Sequence, residues 1–311
     1  MRGSRVFLKI IGVCLGGLLV VAVFLEIRYN FLFAAPRIAG EAVAPPRASF
    51  QLRIEPDLVK DYLARRYAAG TPVPERFVPY LLPYEIGLYM DPDLATAQTE
   101  IGVFVNARRL GPIIAQRVNQ SGVLARIPDI VWSPPELTRP RRGLLRLEGS
   151  MPVTADKIDL VREVWGIVTP LSPLPMMGGH ALEAILDMRD GRGFVLAAEW
   201  IGKNAPPETL LHPTQIVPIA KNIAEARILA DMESDNTLCV KLLIECRPEV
   251  PDSEVNSLCC LMNYITAHVK PNLKSICDVE LTGTAEAEGL RVSGEYRLVP
   301  MDNLLSALGL H

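Results

Sequence analysis

The stretch ARILADMESDNTLCVKLLIEC, residues 226–246, holds two runs of alternating character around the turn-forming triplet Ser234-Asp235-Asn236. Period-two alternation on both sides of such a triplet predicts two antiparallel strands, 226–233 and 238–246. In the second run Leu238, Val240, Leu242, Ile244 and Cys246 share one face, and Cys239, Lys241 and Glu245 share the other. A sheet with one apolar and one polar face packs helices on the apolar side.

Helical periodicity flanks this hairpin, at 216–224 before it and 252–269 after it. Strands follow at 276–282 and 290–298 around Glu286-Ala287-Glu288-Gly289, then a short helix at 302–308. Toward the N-terminus the same order recurs. A helix over 155–164 follows Thr154, a good N-cap, with Ile158, Val161 and Trp165 spaced for one face. Residues 181–188 and 194–200 flank Asp190-Gly191-Arg192-Gly193, and Asp-Gly between apolar runs predicts a tight hairpin. In the first half the pattern predicts a helix at 56–66, strands at 84–90 and 96–106 around Asp91-Pro92-Asp93, a helix at 110–119, and strands at 123–131 and 144–153. The expected fold is therefore α+β: repeated helix–strand–strand units forming an antiparallel sheet with helices packed on it, behind an N-terminal single transmembrane helix.

That helix is read from IIGVCLGGLLVVAVFL, residues 10–25, which carries no charge. Val6, Phe7 and Leu8 lengthen it if Lys9 snorkels, and about twenty residues span a hydrocarbon core. A cleaved signal peptide is disfavoured, because the apolar run is long and Phe33 places a ring where a small residue should precede the cut. Arg2, Arg5 and Lys9 face no acid before the span, so the positive-inside rule keeps the N-terminus cytoplasmic and puts the bulk of the chain outside, in the periplasm of a Gram-negative cell. The expected organisation is a cytoplasmic basic tail over 1–9, a membrane anchor over 10–33, a Pro/Ala-rich spacer over 34–47, a first α+β domain over 48–168, a linker over 169–180 and a second α+β domain over 181–311.

Composition narrows the function classes. With 49 % hydrophobic residues and a net charge of −3, the chain can bury a core, and it has no general cation excess for nucleic-acid phosphates. Only 6 % of residues are aromatic, too few for base-stacking platforms, so no nucleic-acid partner is expected. The nucleophile elbow, the phosphate loop and the dinucleotide turn are all missing. His180, His212, His268 and His311 have no His or Cys partner at metal-ligand spacing. No catalytic residue, metal or cofactor is expected. Glu183, Asp187 and Asp190, and the pairs Asp278/Glu280 and Glu286/Glu288, read as turn or solvated strand-face acids rather than a catalytic dyad.

Charge is segregated along the chain. Eight arginines at 108, 109, 117, 126, 139, 141, 142 and 146 face only Asp129 and Glu136, whereas 225–302 holds fourteen acids and seven bases. Guanidinium forks bind phosphate and carboxylate bidentately. Arg108, Arg109, Arg139, Arg141, Arg142 and Arg146 are thus candidates for an anionic partner: a protein surface, anionic lipid headgroups, or the acidic half of a second copy in a homo-oligomer. Beyond Cys14, five cysteines lie between 239 and 277, an odd number. Strand and helix phase turns Cys246, Cys259 and Cys277 inward and Cys239 and Cys260 outward; Cys246 and Cys259 are expected as reduced thiols packed against Leu242 and Leu258.

Three functions fit. A membrane-anchored extracytoplasmic scaffold or adaptor of the cell envelope, without catalytic activity, comes first. An envelope carrier for lipid or another apolar ligand follows, and an enzyme with scattered site residues comes last. An apolar pocket favours the carrier, convergent ionisable groups the enzyme, and a long flat sheet edge the scaffold.

Overall fold

Alternation that places apolar side chains on one side of successive strands produces, in the computed structural model, a single long sheet. The described residues are 20–21, 48–62, 65, 83–106, 116, 129–139, 144–166, 168–169, 171–204, 213–234 and 236–307. In chain order they form β1 (Phe50–Ile54), β2 (Glu85–Asp93), β3 (Gln98–Asn106), β4 (Val131–Trp132), β5 (Glu136–Arg139), β6 (Leu144–Pro152), α1 (Ala155–Trp165), β7 (Leu182–Asp187), α2 (Arg192–Asn204), α3 (Pro213–Asn222), β8 (Ile223–Ser234), β9 (Thr237–Cys246), α4 (Asp252–Cys277), β10 (Glu280–Glu288), β11 (Arg291–Val299) and α5 (Met301–Ala307). The sheet order is β10-β11-β9-β8-β7-β1-β2-β3-β6-β4, with β5 also on β6. Every pairing is antiparallel. The chain is thus a mixed α+β fold with a large antiparallel sheet and helices. The membrane anchor expected over 10–33 lies outside the described residues except for Val20 and Val21, which are helical and exposed. Among the described residues no helix is long and apolar enough to cross a membrane.

Strand β1 joins the two halves of the chain. It bonds β2 on one side and β7 on the other, with Leu52 opposite both Leu88 and Ala184. Nothing in the sequence reading anticipates it. It is five residues long, and its buried side chains are the polar Gln51 and Arg53.

Helices cover the sheet in two places. Over the middle strands α1, α2 and α3 enclose Ile158, Val161, Phe194, Val195, Val217 and Ala220, with Trp165 stacked on Phe194 at 5.4 Å. Farther along, α4 buries Val255 and Met262 on Ile244, Ala285 and Val292. Fully burying a Val or Met side chain contributes about 1.5–3 kcal/mol.

Several expectations need correction. Asp190-Gly191-Arg192-Gly193 does not turn a hairpin, because the chain enters α2 instead. Asp190 Oδ1 accepts the Arg192 N–H at 3.1 Å, Gly191 takes φ +79°, and a side chain at position 193 would meet the Asp187 carbonyl. The residues after it have helical period: Phe194, Val195 and Ala198 are buried together. Asp91-Pro92-Asp93 is strand, paired as far as Asp93 with Gln98; the turn lies at 94–97, where Asp93 accepts from the Ala95 N–H and the Thr96 hydroxyl. Helix α4 does not stop near Val269 but runs to Cys277 through Pro271, so no strand begins at 276. Asp278 caps that helix in the left-handed region at φ 50° and so does not share a strand face with Glu280. The segment expected as helix over 56–66 opens with a 3-10 turn at Pro56–Val59. The helix expected at 110–119 and most of the strand expected at 123–131 lie outside the described residues.

Candidate ligand-binding site

The strand registers sort the side chains into two faces with unequal cover. On the apolar face Phe50, Leu52 and Ile54 adjoin Ile86, Leu88 and Met90 of β2 and Leu182 and Leu186 of β7. These stay half-buried, and Ile228 of β8 is 41 % exposed. On the polar face Gln51, Arg53, Glu183, Asp187 and Arg227 are buried. The polar side is therefore better covered than the apolar one, the reverse of the usual partition.

A strap over 171–178 gives that cover. Glu183, fully buried, accepts at Oε1 from the Met177 N–H (2.7 Å) and Arg227 Nη1 (2.7 Å), and at Oε2 from the Gly178 N–H (3.0 Å) and Arg53 Nη2 (3.3 Å). Three carbonyls of the strap are held by side chains: Ser172 by Arg189 at 2.9 Å, Leu174 by Gln51 at 3.1 Å and Pro175 by Arg227 at 3.2 Å. Beside this cluster Arg192 bridges Asp91 and Asp190. Burial pushes the Asp91 carboxyl above its ordinary value, and Arg192 and the Ser49 hydroxyl offset only part of that. Each of these acids already has a cationic or amide partner, so the cluster holds the strap and the β1–β7 seam together.

The open side carries the cavity. Helix α3 ends at Asn222, whose carbonyl accepts the Arg247 N–H at 2.8 Å just past β9. Pro251 then starts α4, with Asp252 and Glu254 in its first turn, where carboxylates suit the positive helix end. Between these elements lies a cavity of about 420 Å³. Cys246 and Val250 form its floor, Pro218, Ile219 and Asn222 one wall, and Glu254, Ser257, Leu258 and Leu261 the other. Small-molecule pockets run to about 300–1,000 Å³, mostly apolar with a few polar groups. Here the Asn222 side-chain amide donates to Glu254 Oε2, linking α3 to α4.

Of the arginines singled out from the sequence, Arg146 lies on β6 and pairs with Glu148 at 2.6 Å, with Tyr89 Oη 3.4 Å from Nη2. Arg139 closes β5. Arg108, Arg109, Arg141 and Arg142 lie outside the described residues. His180 contacts Asp231 at 2.6 Å. Cys246 and Cys259 share one apolar cluster with Leu242 and Leu258, and burial pushes both thiols up. Cys239, Cys246, Cys259, Cys260 and Cys277 are all free, and Cys260 is exposed. The cavity went unforeseen because its walls come from three segments; the apolar runs Ile216-Val217-Pro218-Ile219 and Leu258 to Leu261 were legible only as helix faces.

No family model matches this chain, and no curated protein sequence matches it. Among solved structures it bears a weak likeness to TP0453. Crystal form III of that protein superposes at a TM-score of 0.38 with 11 % identity over 86 % of this chain and 98 % of that chain; crystal form I gives 0.38, 10 %, 88 % and 98 %.

Proposed function

We propose that this chain is a membrane-anchored carrier on the outer side of the cytoplasmic membrane that shelters the apolar part of a lipid or another apolar ligand. The 420 Å³ cavity between α3, β9 and α4 carries this reading. The half-open apolar sheet face supports it, because apolar surface left accessible in a sheet of this size commonly marks binding. The anchor over 10–33 would hold the carrier at the membrane. The arginine segment would meet anionic headgroups; its Arg146, on β6, lies six strands from β9 and so roughly 30 Å away.

The scaffold reading finds less support in the sheet edges. At one edge β10 carries Glu280, Glu286 and Glu288, and at the other β4 is two residues long and β5 is bulged. Charged, short and bulged edges resist strand addition.

The test is binding of Nile red, an uncharged apolar dye, to the full chain in detergent-free nanodiscs. Leu258→Trp, which fills the cavity, and Leu261→Arg, which charges its half-exposed wall, should each weaken dye binding about tenfold or more while circular dichroism stays unchanged. Unaltered dye binding in both variants would remove the cavity as the site.

A further inference from the structure

The polar atoms of the cavity are unevenly placed and carry one sign. Ile219, Val250, Leu258 and Leu261 line it with hydrocarbon, whereas Asn222 and Glu254 are its polar pair. Ser257 commits its hydroxyl to the Ser253 carbonyl at 2.8 Å. Asn222 commits an amide hydrogen to Glu254 Oε2, and Glu254 Oε1 has no protein partner among the described residues. No Lys, Arg or His belongs to the lining, and Lys221, next to Asn222 in sequence, is not part of it.

The start of α4 could in principle receive an anionic head, since helix N-termini attract anions. Here the chain's own carboxylates already stand at that end. Asp252 and Glu254 already place carboxylates in the first turn, and the Glu254 and Val255 N–H groups donate to the Pro251 carbonyl. A carboxylate or phosphate head would meet Glu254 with like charge, while an ammonium would find an unshared carboxylate oxygen. The volume corresponds to about fourteen water-sized volumes, enough for one alkyl chain of modest length and too little for two.

We propose that the cavity selects a single-chain amphiphile with a cationic head, held by Glu254 at the mouth with its chain between α3 and α4. The proposal rests on the carrier reading above. It concerns only the cavity, so it is independent of what the arginine segment contacts.

Displacement of Nile red from the full chain by three ten-carbon amphiphiles tests it: decyltrimethylammonium and decanoate, each below its micelle concentration, and decanol below its solubility limit. At low salt decyltrimethylammonium should displace the dye at about tenfold lower concentration than decanoate, with decanol between them. Glu254→Gln, an exposed and nearly isosteric change, should bring the three within about twofold of one another, each compared with the variant's own dye affinity. Equal potency in the parent chain, or a preference that survives Glu254→Gln, overturns the head-group assignment and leaves the carrier reading standing. Failure of all three to displace the dye overturns both.

Discussion

Replacing Glu183 by Gln puts the buried polar face to a quantitative test. The carboxylate is fully buried and accepts four bonds, two from guanidinium groups and two from amides of the strap. Gln keeps the shape but loses the charge, and its NH2 confronts donors that its predecessor accepted. Removing one partner of a buried pair costs about 3–5 kcal/mol. Each arginine keeps a second acid here, Arg53 with Glu55 at 3.4 Å and Arg227 with Glu225 at 2.6 Å, so the lower end, about 3 kcal/mol, is expected. At about 2–4 °C per kcal/mol for a folded unit of this size, Tm should fall by roughly 6–12 °C. Urea unfolding should show a lower midpoint at unchanged slope. In native-state hydrogen exchange the Met177 and Gly178 amides should lose protection, while Val255 in α4 keeps it. A cost under about 1 kcal/mol with both strap amides still protected would refute the reasoning, because it would mean the guanidinium groups are solvated and the strap is held by something else.

Alanine at Gly87 would place Cβ 1.7 Å from the Phe104 ring, and at Gly102 2.0 Å from the Tyr89 ring, so each change should cost about 1–3 kcal/mol in chemical unfolding, with Phe104→Leu relieving the first. Burial acts to raise the Glu199 carboxyl, but bonds from the Thr154 hydroxyl and N–H and from Lys157 outweigh it and leave the folded-state value below the ordinary 4.5. Its contribution is therefore present above that value and lost as pH falls through the lowered one, and Glu199→Gln should flatten the stability curve below about pH 5. Cys246→Ala should cost on the order of 1 kcal/mol through lost packing. Alkylation read by mass should modify Cys260 in the native protein and Cys246 only after unfolding, without reductant; a need for reductant at Cys246 would show an oxidised thiol.

What the sequence revealed and what it hid follow from the range of the determining contacts. Hairpin β8–β9, strand β11 and helix α1 were legible because alternation, turn residues and helical spacing are local signals; of β10 only residues 280–282 were, and the Thr154 hydroxyl bonds Glu199 instead of capping α1. Strand β1 was not, since Arg53 looks solvent-facing until Glu183, 130 positions later, supplies its counter-charge, and Gln51 until the Leu174 carbonyl accepts from its amide. Asp190-Gly191 misled because the same dipeptide serves a hairpin and a helix entry, and the choice falls to Phe194 and Val195 packing on α1. The helix expected to end at 269 continues to Cys277 because Pro271 lies in an exposed stretch, where water can take the place of the one lost backbone bond. The cavity was hidden for the same reason as β1, because its lining spans 218–261.

The place of β1 also has a mechanical side. The segment leading from the N-terminus enters the sheet at Ser49 and Phe50, at one end of a strand bonded along both flanks. Sheet hydrogen bonds lie across the strand direction, so a pull along the axis of β1 loads both ladders in shear, and their bonds share the force instead of opening one after another. An edge strand in the same position would unzip. Traction along β1 is thus taken up by the middle of the sheet, three strands from β9 and the cavity.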